Sequence, residues 1–62
     1  MVRVEIAGIT YDIGNENGIY FARASSGDSP VGMTIEQLSQ GLAQVTGLKQ
    51  QDLYEYLIGL GI

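Results

Sequence analysis

From Val2 to Ile13, apolar and polar residues alternate almost without fault. Val2, Val4 and Ile6 are interleaved with Arg3 and Glu5, and Ile9, Tyr11 and Ile13 with Thr10 and Asp12. A period of two is what a half-buried strand produces, because successive side chains leave opposite faces. The break at Ala7-Gly8 predicts the turn of a hairpin. Pairing about it opposes Ile6 with Ile9, Glu5 with Thr10, Val4 with Tyr11, Arg3 with Asp12 and Val2 with Ile13, so apolar meets apolar and polar meets polar. A slip of one residue would turn every side chain to the wrong face.

Asn15-Glu16-Asn17-Gly18 reads as a second turn, and Ile19 to Ala24 as a third strand. A two-residue Asn-Gly loop would turn Tyr20, Ala22 and Ala24 inward. A three-residue loop with a glycine bulge would turn Ile19 and Phe21 inward, and it is preferred because it buries the phenylalanine. Residues 25–33 are rich in Ser, Gly and Pro and form a connection. Thr34 with Gln37 makes a capping box, and Met33 with Leu38 occupies the positions of a hydrophobic staple. A helix over about 35–46 follows, with Ile35, Leu38, Leu42 and Val45 on one side and Gly47 as its stop. A second helix over about 49–58 carries the stripe Leu53, Leu57 and Leu60. The expected architecture is one α+β domain spanning 1–62. Strands at about 2–7, 9–14 and 19–24 form a three-stranded antiparallel meander packed against two C-terminal helices.

At 62 residues without cysteine the chain lies near the lower size limit for folding unaided, which favours sharing apolar surface with a second subunit. Seven carboxylates oppose three basic residues for a net charge of −4, which disfavours nucleic acid as a partner. With neither histidine nor cysteine, the imidazole general base, the thiolate nucleophile and the usual zinc sites are all excluded. Gly27-Asp28-Ser29 is a turn, since a serine with no base nearby is not activated. Gly14, Gly18 and Gly27 lack the spacing of a phosphate-binding loop. No enzyme activity, cofactor or metal is expected. No apolar run reaches the length of about 18 residues that a membrane span requires, and a cytoplasmic location is the default expectation, the host cytoplasm if the protein is viral.

Within residues 39–58, Ala43, Gly47 and Leu53 stand where a small residue, a turn glycine and a buried aliphatic are found in helix-turn-helix domains, flanked by Leu42 and Leu48. The segment resembles that family. The resemblance implies a second helix placed in the major groove, with Lys49, Gln50, Gln51 and Tyr54 at the bases. Asp52 and Glu55 on the same short helix depart from the pattern, and Lys49 is its single basic residue. Met33 to Ile62, ending Leu-Ile-Gly-Leu-Gly-Ile, is also similar to the small helical N-terminal domain of bacterial translation initiation factor two, with a different spacing between the helices.

The C-terminus holds more apolar surface than one stripe uses. Tyr54, Tyr56, Ile58, Leu60 and Ile62 are therefore the candidate interface, tyrosine giving large contact area at low entropic cost. Asp12, Glu16, Asp52 and Glu55 are candidates for an acidic surface able to imitate phosphates. The function expected is a non-enzymatic, acidic protein-interaction module of the viral accessory or inhibitor kind, self-associating through its C-terminal helix. The alternatives are a divergent helix-turn-helix DNA binder, and a small oligomer that encloses a ligand near Ser25 to Ser29.

Overall fold

A computed structural model describes the whole chain, Met1–Ile62. Its elements are β1 (Val2–Ile6), β2 (Ile9–Glu16), β3 (Ile19–Ala24), β4 (Val31–Gly32), α1 (Ile35–Thr46) and α2 (Gln50–Leu60), and the strands form one antiparallel sheet in the order β1-β2-β3-β4. Both helices cover the same face. The α+β meander with two C-terminal helices is the architecture that the alternation and the capping signals predict.

The first hairpin adopts the expected register from Ile6 opposite Ile9 to Val2 opposite Ile13. On the outer face Arg3 Nε donates to Asp12 Oδ1 at 2.9 Å. Ala7 and Gly8 both have positive φ, 53° and 81°, as the two central residues of a type I′ turn must.

The second hairpin departs from the preferred reading. Glu16 pairs with Ile19, so the loop is the two-residue Asn17-Gly18, with φ of 53° and 78°. Ala22 is therefore buried, Tyr20 and Ala24 pack beside it, and Ile19 and Phe21 point outward. The phenylalanine is not wasted there. It lies across from Gly14, where an added Cβ would come within 2.9 Å of its Cζ, and the Arg23 guanidinium sits 5.5 Å from the ring centroid. Asn-Gly is the strongest local signal for a two-residue turn, and it prevails over the gain from burying one ring that finds cover elsewhere.

The stretch 25–33 also holds more than a connection. Val31 and Gly32 form a short fourth strand against Phe21 and Tyr20. Pro30 O accepts from Ala22 N at 2.9 Å, and Ser29 Oγ accepts from Ala24 N at 2.9 Å, so this segment occupies the edge of β3. A Cβ on Gly32 would lie 2.7 Å from Gln37 Cβ and 2.9 Å from the Leu38 nitrogen, and one on Gly41 would lie 2.7 Å from Pro30 Cβ. These two glycines let α1 settle directly on β4 and the proline before it.

Helix α1 begins as the capping box predicts: Thr34 Oγ1 accepts from Gln37 N at 3.1 Å. The Gln37 side chain reaches one residue further back than expected and accepts from Met33 N at 2.7 Å. Met33 stays 70% exposed, and the staple against Leu38 does not form. Gly47, at φ 77°, ends the helix by donating to Ala43 O at 2.8 Å. Helix α2 runs two residues beyond the expected end. The core joins Ile6, Tyr11, Ile13 and Ala22 of the sheet to Leu38 and Leu42 of α1 and Leu53 and Leu57 of α2.

Candidate functional site

The candidate interface is built on α2, and helical geometry divides it. Leu53 and Leu57 face the core, and Leu60 and Ile62 pack against its end, so these last two close the molecule and are not free surface. Tyr54 and Ile58, four residues apart, share one flank and are 36% and 51% exposed. Tyr56, two residues from Tyr54, points some 200° away around the helix, as the geometry of 3.6 residues per turn requires. It is 42% exposed on the flank nearer β1, where Leu48 is 46% exposed. The apolar surface of α2 is thus two strips on either side of the buried stripe.

Each flank borders a depression. Tyr54 lines a shallow hollow with Glu36, Gln50 and Gln51. Tyr56 lines the larger one, an open groove of about 390 Å³ shared with Ile6, Ala7, Leu48 and Leu53 and flanked by the carboxylates of Glu5 and Asp52. This groove runs between the first turn and the start of α2. Leu48 and Glu5 belong to it and were not among the sequence candidates. Leu48 is signalled by its place in the short interhelical connection, whereas Glu5 has no sequence signal.

The four acidic candidates do not converge. Asp12 and Glu16 lie on β2, whereas Asp52 and Glu55 lie on α2 on the other side of the molecule. Asp12 is engaged, sitting across from both Arg3 and Arg23. The hydrogen bond from Arg3 holds its carboxyl below the usual carboxylate range, and the same bond raises the Arg3 guanidinium. Both arginines of the chain therefore share the outer sheet face, which is less negative than the α2 side.

The residues of the DNA-binding alternative are partly committed within the chain. Gln51 Nε2 donates to Glu55 Oε2 at 2.9 Å, and Gln50 Nε2 lies 3.4 Å from Ser39 Oγ. Lys49 stands exposed at the N-cap of α2, and Tyr54 borders the hollow of the two glutamines. In the Ser25 to Ser29 segment considered for a ligand, the Ser29 hydroxyl is taken up by the Ala24 amide. No three carboxylates are gathered closely enough to hold a metal ion, and no helix is long and apolar enough to cross a membrane.

Comparison with protein-family models, with curated proteins and with solved structures yields no match.

Proposed function

We propose that the protein is a non-enzymatic interaction module that self-associates through α2. The observation that carries this reading is the exposure of Tyr54 and Ile58 side by side on a helix whose core stripe is already complete in Leu53 and Leu57. Two adjacent large apolar side chains left in water beside a satisfied core support a contact surface more than isolated ones would. Tyrosine strengthens the case, because it offers a wide, stiff contact while keeping its hydroxyl wet.

Sedimentation velocity on the wild type and on Tyr54→Ser/Ile58→Ser tests it. The wild type should sediment as a species heavier than the 6.7 kDa chain. The double variant should form a smaller assembly with unchanged circular dichroism, since neither side chain belongs to the core. An assembly of unchanged size in the variant, or a wild type that is monomeric, would sink the reading.

A further inference from the structure

We propose that the free edge of β1 is a second self-association surface, pairing antiparallel with the same edge of another copy of this chain in a register centred on Val4. The inference goes beyond the α2 contact and uses neither Tyr54 nor Ile58.

Strand β1 ends the sheet on one side. In a hairpin closed by a two-residue turn, the residues flanking the turn exchange hydrogen bonds and the pattern then alternates. Val2, Val4 and Ile6 therefore direct their amides and carbonyls to β2, and Arg3 and Glu5 direct theirs outward. No backbone hydrogen bond outside the ladder uses any residue of β1. β1 contains no proline and no bulge, and its two charged residues, Arg3 and Glu5, are of opposite sign, so a second copy can satisfy both.

Outward groups can bond only with outward groups of the arriving strand. For two copies of β1 running antiparallel this leaves three central registers. Arg3 may not face Arg3, nor Glu5 face Glu5, without setting like charges directly across the outer face, which is destabilising. The remaining register sets Arg3 across from the partner's Glu5 and, by the two-fold axis, Glu5 across from the partner's Arg3. On the helix face it sets Val4 against the partner's Val4 and Val2 against the partner's Ile6. The sequence Val-Arg-Val-Glu-Ile is thus its own complement, in charge on one face and in apolar character on the other.

The two-fold axis of this pairing stands normal to the sheet, so the helices of both copies lie on the same side. Val2 and Val4, half-buried in the single chain, become interior positions of a continuous sheet. The groove beside Ile6, overhung by Leu48 and Tyr56, lies where the partner's Val2 arrives. Arg3, already bonded to Asp12, then stands between two carboxylates on the outer face.

The test compares the wild type with Glu5→Arg, Tyr54→Ser/Ile58→Ser and all three substitutions together, by sedimentation velocity at several concentrations. Glu5→Arg replaces two attractive pairs by two repulsive ones and should weaken the β1 contact by about tenfold or more. Glu5 is exposed across from Thr10, so its replacement leaves the core alone, and circular dichroism checks that the fold persists. Mixing Glu5→Arg with Arg3→Glu/Asp12→Asn should restore a heterodimer, because opposite charges again face each other at both positions. In the wild type the Arg3 and Glu5 amides should be protected from hydrogen exchange, and in Glu5→Arg they should exchange freely. If Glu5→Arg sediments as the wild type does while the α2 variant is smaller, the β1 pairing is wrong and the α2 reading stands. The opposite pattern overturns the α2 reading and leaves the β1 pairing in place. A monomeric wild type overturns both.

Discussion

Replacing Ala7 by asparagine should stabilise the protein by about 1 kcal/mol, although the side chain it adds touches nothing in the core. Ala7 is held at φ 53°, in the left-handed region, where a Cβ crowds the following carbonyl at a cost of about 1–2 kcal/mol. Asparagine tolerates that region far better than alanine, and Ala7 is exposed, so relief comes without lost packing. Glycine would relieve the strain too, but it gives back about 0.5–1 kcal/mol through the wider freedom of the unfolded chain. The molecule holds its own control. Asn17 occupies the equivalent position of the second turn at the same φ of 53°, and Asn17→Ala should destabilise by a similar amount. For a domain of this size about 1 kcal/mol moves the melting temperature by roughly 4–8 °C. Urea midpoints should shift in opposite directions for the two variants at constant m-value, and measuring at two protein concentrations separates folding from association. If Ala7→Asn leaves the midpoint unmoved while Asn17→Ala lowers it, the two turns are not equivalent and the strain assigned to Ala7 is mistaken.

Two further outcomes follow from the packing and the charge pairs. Gly32→Ala should cost about 1–3 kcal/mol in urea denaturation, because its Cβ meets α1 backbone that cannot step aside; a neutral result would mean that α1 does not rest on β4. The hydrogen bond from Arg3 depresses the Asp12 carboxyl, so its contribution to stability is complete above the usual carboxylate range and disappears as pH falls through the lowered value. Asp12→Asn should therefore flatten the acid limb of the stability curve, and parallel losses in the variant and wild type would place that limb elsewhere.

The first hairpin could be read from the sequence to the residue, because five consecutive pairs agree in polarity and no other register does. The start of α1 was equally legible, since Thr34 and Gln37 are local chemistry. In the second hairpin the hydrophobicity of Phe21 points to one turn and the preference of Asn17-Gly18 to another, and the turn preference prevails. What the sequence could not reveal was Gly14, an opening on the outer face into which the ring settles. Strand β4 leaves no signal in the sequence, because two residues are too few to show a period and its glycine serves the helix above it. In the candidate site, the separation of Tyr54 from Tyr56 was available from their spacing alone. That Leu60 and Ile62 would be used to close the core was not, because it depends on where α2 meets the sheet.

The two margins of the sheet are unlike, and that difference limits how far strand addition can proceed. On the β4 side the margin is two residues long, Pro30 precedes it, α1 rests on Gly32, and the carbonyl of Pro30 and the hydroxyl of Ser29 already fill the edge of β3. That side is a stop. The β1 side alone can grow, and a copy that docks there by its own β1 uses up the growing point of both molecules. Extension of the sheet then ends after a single doubling. The blunt end made by Pro30 and Gly32 confines strand addition to one partner, so growth beyond such a pair would have to run through α2.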